Sequence, residues 1–245
     1  MGIPRGRQPV VFGNQVQADA TAHALAEFPK ESVGFVIGGE YHPIKNIHPT
    51  PSLEFETPLS AWRDDIEAII HSHTNGFDAP TAADVQGQID TGNPWGLITL
   101  EDGQVKKELF YWGPGVECPL IGRQWRSGPT GSDGTGDCYA IIRDFYRDEL
   151  EINIPEFPRD EDSFCRGENL YTEGFGKAGF HTISHLELTP GDVILMRLQA
   201  GVTNHGAIYL GDGEILHHLQ NRLSRRDVAT RYQRYMTHFL RHKDR

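Results

Sequence analysis

The run Tyr111-Trp112-Gly113-Pro114-Gly115 interrupts the chain near its middle. Two glycines around a proline end the strand-like segment Val105–Tyr111, and neither a helix nor a strand continues through such a run. The stretches on either side, roughly 110 and 135 residues, each have the size of an independent domain. We therefore expect two domains, residues 1–112 and 113–245. A second loose segment, Ser127–Gly136, is built mostly of Gly, Ser, Thr, Pro and Asp. It leads directly into a helix-like run and reads as a loop over a site rather than as a linker.

Each half mixes helices with strands. The first reads as a helix over Val16–Phe28, a strand over Val33–Ile37 and a strand ending in His71-Ser72-His73. A helix from about Thr81 and strands over Trp95–Leu100 and Gln104–Tyr111 follow. The second opens with a helix from Cys138 to about Leu150, because Ile141, Ile142, Phe145 and Leu150 recur on one face. Strands follow over Asp192–Arg197, His205–Leu210 and Glu214–Leu219. The expected fold class is α+β.

Composition narrows the function. Of 245 residues, 38% are hydrophobic, enough for real cores, and no run approaches the roughly 18 apolar residues of a membrane span. Pro4, Arg5 and Arg7 are followed by no long apolar stretch, so no signal peptide is expected. The net charge of −11 lies mainly in the first part, where residues 1–110 carry 7 basic and 15 acidic side chains. Residues 220–245 hold eight Lys and Arg against two Asp, which reads as a solvated terminal helix and strand. Without interleaved aromatic platforms, nucleic-acid binding is not expected. Twelve histidines against three cysteines leave little room for a disulfide framework and point to metal or acid–base chemistry in a reducing compartment.

His71 and His73 end the apolar run Ala68-Ile69-Ile70, and on a strand residues two apart project from one face. Asp84, eleven residues on, supplies a carboxylate. Two histidines, one carboxylate and a water make the open arrangement of catalytic zinc. Thr81-x-x-Asp84 also fits a helix capping box, in which the same side chains satisfy free backbone N–H groups.

Cys138 follows Asp137, a good N-cap residue, so its thiol falls in the first turn of the helix. There the dipole favours the thiolate that a nucleophile needs. Cys118 precedes a proline, and Cys165 sits in a polar loop-like segment. A base is available at His205, which opens a strand, and Gly211-Asp212-Gly213 signals a hairpin back to Glu214-Ile215-Leu216-His217-His218. A three-residue loop pairs Leu210 with Glu214 and Ala207 with His217. A two-residue loop brings His218 to that face instead. Periodicity leaves both open.

The pattern His71-x-His73, seven residues, Thr81-x-x-Asp84 resembles the motif of the JAMM (MPN-type) metallopeptidases, with Thr81 in place of their Ser. The resemblance implies an αβα domain with a mixed sheet, zinc on His71, His73 and Asp84, and Glu31 in Pro29-Lys30-Glu31-Ser32 as the base. Asp137-Cys138, His205-Gly206-Ala207-Ile208-Tyr209-Leu210-Gly211 and Glu214–His217 resemble the NlpC family of papain-like cysteine peptidases, with Tyr139-Ala140 where that family usually has Ser-Gly. This implies an antiparallel sheet, Cys138 as nucleophile, His205 as base and His217 as its orienting partner. Together the halves resemble the tail tip assembly proteins of lambda-like tailed bacteriophages, as do Asn93-Pro94-Trp95-Gly96 and Pro119–Arg123. That resemblance implies synthesis in the host cytoplasm, a place at the virion tail tip beside other tail tip proteins, and peptidoglycan peptide stems as substrate. The runner-up is an assembly component whose sites bind without turnover.

Overall fold

The computed structural model describes residues 12–160, 167 and 169–245. Cys165 and the start of the chain, Met1–Gln8, lie outside the described residues. The chain divides into two compact units. One holds the residues up to Pro80 with Gly87–Glu117 and Gly131–Asp133; the other holds Thr81–Gln86, Cys118–Thr130 and Gly134–Arg245.

The first unit is built on a five-stranded mixed sheet. In chain order its strands are β1 (Val33–Ile37), β2 (Glu40–Ile44), β3 (Ile66–His73), β4 (Trp95–Glu101) and β5 (Gln104–Trp112). Their spatial order is β2-β1-β3-β4-β5, with β3 and β4 parallel and every other pair antiparallel. Alternation along β3 splits the core. Ala68 and Ile70 face helix α1 (Asn14–Glu27), which buries Val16, Ala20 and Ala24 at four-residue spacing. Ile69 faces the other way, into a cluster with Val33, Phe35, Trp95, Leu97 and Trp112. His71 and His73 continue the Ile69 row and leave the sheet on that side. Helix α2 (Ala82–Thr91) brings Gly87 so close to the Trp95 ring that a Cβ there would lie 2.5 Å from it. β2 escapes the sequence reading because it is a polar edge strand with Pro43 inside it.

The second unit is a six-stranded sheet with every pair antiparallel. Its strands run β8 (Phe180–Thr182), β9 (Val193–Met196), β10 (His205–Gly211), β11 (Glu214–His217), β12 (Arg225–Val228) and β13 (Met236–His242). The spatial order is β12-β11-β10-β9-β13-β8. A two-stranded ribbon of β6 (Gln124–Trp125) and β7 (Thr135–Gly136) precedes helix α3 (Cys138–Leu150). α3 lays Cys138, Ile141, Ile142 and Tyr146 against Val193, Leu195, Ile208 and Leu216. Helix α4 (Leu170–Lys177), interrupted by Gly174 and Gly176, adds Tyr171 and Phe175 to that core.

The basic tail differs from its expected helix and strand. Arg225–Val228 forms an edge strand, Ala229–Tyr235 is a 3-10 segment, and Met236–His242 is an interior strand. Five of its eight cations are paired within the chain: Arg225 and Arg231 both lie 2.9 Å from Asp227, Arg241 and Arg245 lie 2.7 and 2.8 Å from Asp192, and Arg226 lies 4.0 Å from Glu214. Among the described residues, no helix is long and apolar enough to cross a membrane.

Candidate functional site

In the first unit, β1 runs antiparallel to β3 with Val33 opposite His71. Ser32 continues this ladder: its N–H and hydroxyl contact Ser72 Oγ at 2.9 and 3.1 Å, and its carbonyl accepts from Ser72 N–H. Glu31, the next residue back along β1, is therefore carried towards His73, and it is buried. Its backbone is clamped from a loop, with its N–H on the Pro51 carbonyl and its C=O accepting from Asn46 Nδ2 at 2.9 Å. The Asn46 side chain also bonds the backbone at His48, Glu54 and Glu56, so one amide organises the loop. Nothing local in the sequence marks Asn46 for this.

The two imidazoles meet through like atoms, His71 Nε2 and His73 Nε2, 3.4 Å apart. His73 Nδ1 lies 2.9 Å from the Phe77 carbonyl, which can accept only from an N–H. That places the His73 proton on Nδ1 and leaves Nε2 bare, the tautomer a metal ligand requires. Two nitrogens bound tetrahedrally at zinc's usual distance are roughly 3.4 Å apart, so the observed spacing fits that ion. His71, His73 and Asp84 each offer one ligand atom, all within 4.8 Å of one another, and all three residues are buried. The rings of Phe55, Trp95 and Trp112 surround His71. The donor set suits zinc: two imidazoles and a carboxylate in an apolar setting. The capping box is also real. Asp84 Oδ2 accepts from Thr81 N–H and Thr81 Oγ1, both at 2.7 Å, and Thr81 Oγ1 accepts from Asp84 N–H at 3.2 Å. One carboxylate thus starts α2 and belongs to the donor group.

In the second unit, Asp137 caps α3 by accepting from Ala140 N–H at 2.9 Å. It also accepts from Gly128 N–H and, at 2.6 and 2.9 Å, from the fork of the buried Arg159. Arg159 in turn lies over the Tyr139 and Phe157 rings and bonds Glu156. This cradle fixes the first turn of α3 and with it Cys138. The thiol accepts from the backbone N–H of Gly206, the residue after His205, and lies 2.8 Å from the Tyr171 hydroxyl. It is not thiolate-like. Burial, with the neighbouring Asp137 charge adding to it, pushes the thiol up to about 12, which corrects the expectation drawn from the helix dipole. The dipole acts over one turn, whereas desolvation acts on the whole thiol, 1% exposed.

His205 Nε2 lies 3.2 Å from His217 Nδ1. Burial holds His205 well below the usual imidazole value, with His217 and His218 adding to the effect. Burial also lowers His217, to about 4, against an opposing pull from Asp227. The choice between His217 and His218 is made by the hairpin. Asp212 and Gly213 both have positive φ and form the two-residue turn, so Gly211, not Leu210, pairs with Glu214. Leu210 is then bulged out and the register shifts by one, which returns Ala207 to a position opposite His217. His218 faces elsewhere, with its Nε2 on the Arg222 carbonyl and its ring against Trp125. Burial thus favours the neutral forms of the thiol and of both imidazoles.

Two family models match parts of this chain. The model of the NlpC/P60 family matches residues 122–242, and the model described as prokaryotic homologs of the JAB domain matches residues 13–112. Tail tip assembly protein K of Escherichia phage lambda is 36% identical over 180 residues, 73% of this chain and 83% of that protein. The protein of the same name from Escherichia phage N15 is 28% identical over 238 residues, 91% of this chain and 92% of its own length. An NlpC/P60 family protein of known structure from Bacillus cereus is 14% identical, with a TM-score of 0.38 over 98% of this chain and 73% of that one. That likeness is too weak to carry an argument.

Proposed function

The chain belongs to the family of tail tip assembly protein K, and on that premise we propose that its cysteine site cleaves the peptide stems of peptidoglycan during phage tail tip function. Its partners are then other tail tip proteins. It is made in the host cytoplasm and acts at the virion tail tip. The observation that carries the reading is the grouping on α3, β10 and β11: Cys138 Sγ on the Gly206 N–H, and His205 Nε2 at 3.2 Å from His217 Nδ1. Nucleophile, base and orienting group stand in the order that acyl transfer requires.

Cys138 Sγ attacks the carbonyl carbon of a bond beside a D-amino acid or diaminopimelate, and its proton passes to His205. The leaving amine takes that proton as the C–N bond breaks, which leaves a thioester on Cys138. Water, deprotonated by His205, releases the acid and the thiol. Because burial holds the thiol at about 12, proton transfer accompanies attack.

The second activity assigned here is cleavage of a peptide or isopeptide bond at the His71–His73–Asp84 group. A bound zinc supplies a polarised carbonyl and a water acidified towards neutrality. His71 and His73 would hold it through ring nitrogens and Asp84 through a carboxylate oxygen, and Glu31 would take up a proton on its carboxylate.

The test uses the purified full chain and peptidoglycan sacculi. Wild type releases muropeptides, Cys138→Ala reduces release to background, and a chelator leaves the release unchanged. If wild type releases nothing while Cys138→Ala virions assemble and infect, the peptidase reading fails.

A further inference from the structure

His217 orients His205, but what orients His217 lies one strand further out. β11 and β12 pair with Ile215 opposite Asp227 and His217 opposite Arg225, so Asp227 is the diagonal neighbour of His217 on the same face. His205 stands in the same diagonal relation on the other side, through the pairing of Ala207 with His217. Three adjacent strands therefore carry His205, His217 and Asp227 in one slanting row.

Asp227 Oδ2 lies 3.9 Å from His217 Nε2, and that nitrogen is buried with no hydrogen-bond partner. The separation is too long for a hydrogen bond and short enough for a strong field in a buried setting. The carboxylate cannot swing away. It accepts from Val228 N–H at 2.8 Å, from Arg225 and Arg231 at 2.9 Å and from the Tyr232 hydroxyl at 3.0 Å. Burial alone would raise this carboxyl, but these donors hold it down at about 2, so it stays charged. The Tyr232 ring closes the space, edge to face with His217 at 4.9 Å.

Proton counting gives this geometry a consequence. A neutral imidazole carries one proton. If His217 carried it on Nδ1, it would donate to His205 Nε2. The His205 proton would then sit on Nδ1, its other nitrogen, and neither nitrogen would be free to act as a base. If His217 carries it on Nε2, its Nδ1 accepts from His205 Nε2–H and His205 Nδ1 is bare.

We propose that Asp227 is a positioning residue of the cysteine site: its carboxylate holds the His217 proton on Nε2 and thereby keeps His205 in the tautomer that can accept the thiol proton. This rests on the peptidase reading for its catalytic meaning, but the tautomer itself can be measured without turnover.

Long-range proton–nitrogen NMR of the full chain at neutral pH reads both rings. Wild type shows the Nε2–H form at His217 and His205; a predominant Nδ1–H form at His217 overturns the proposal whatever the variants do. Asp227→Asn, close in shape and uncharged, shifts His217 towards Nδ1–H and lowers kcat about tenfold or more with KM unchanged. Asp227→Glu restores part of both. Arg226→Gln removes an exposed charge of the same strand, 4.0 Å from Glu214 and not bonded to Asp227, and stays at the wild-type tautomer and rate. An unchanged tautomer in a folded Asp227→Asn, or equal losses in Asp227→Asn and Arg226→Gln, makes Asp227 a structural ion-pair hub and overturns the proposal. A wild type without hydrolysis sinks the peptidase reading alone, and the tautomer comparison still decides this one.

Discussion

Each unit buries one pair of histidines in ring contact, and the two pairs differ in which nitrogens meet. In the first unit Nε2 faces Nε2 at 3.4 Å, and the Phe77 carbonyl fixes the His73 proton on Nδ1. In the second, Nε2 faces Nδ1 at 3.2 Å with a carboxylate beyond. The first arrangement turns the His73 proton away from the pair; the second lines unlike nitrogens up in a row with a carboxylate. The backbone sets the difference. His71 and His73 are neighbours on one strand, whereas His205 and His217 come from two strands whose register a bulge decides.

If the pairs are independent, each can be destroyed without the other. The largest effect falls on the metal: His71→Ala lowers zinc from about one per chain to background by elemental analysis, and leaves sacculus digestion intact. Loss of both activities in this variant would break the comparison. Next is the hairpin. Deleting Ile215 from β11 moves every pairing beyond the Leu210 bulge by one residue, so His218 comes opposite Ala207. Hydrolysis then falls to the Cys138→Ala level while far-UV circular dichroism is retained. A deletion variant with full activity would show that His217 is not the partner.

A smaller effect follows from pH. Burial lowers His205 and His217, the latter to about 4 from an ordinary 6.5. Below 6.5 the unfolded chain therefore binds more protons than the folded one. The stability is fully present above that value and is lost as pH falls towards 4, by at most about 1.4 kcal/mol per pH unit for each ring. Urea unfolding at several pH values measures this slope, and His217→Asn flattens it; an unchanged slope would mean that His217 is not buried neutral. The smallest effect is that of Thr81→Ser. It keeps the hydroxyl that bonds Asp84 and removes a methyl, so stability stays within about 0.5 kcal/mol and zinc content is unchanged.

Short-range periodicity made much of this legible. Alternation along β3 put His71 and His73 on one face, and β3 ends at His73 as expected. The apolar face of α3 and its Asp137 cap gave Cys138–Leu150 correctly. The elements that were missed, β2, β6, β7, β8, β12 and α4, are short, polar or interrupted by glycine, and packing by distant segments holds them in place; of the expected terminal helix and strand, the strand is β13.

The sequence by itself determined the His-x-His face and the capped helix that starts at Cys138, because each depends on residues a few positions apart. Only the tertiary structure decided that His217 and not His218 meets His205, because a bulge cancels the register the turn would impose. It also decided that the thiol is held up by burial, and that Asp227 lies by His217, Tyr171 by Cys138, Arg159 on Asp137 and Asn46 on the Glu31 backbone. Those contacts join residues far apart in the chain or separated by a turn. Desolvation, likewise, depends on everything packed around a group rather than on its neighbours in sequence.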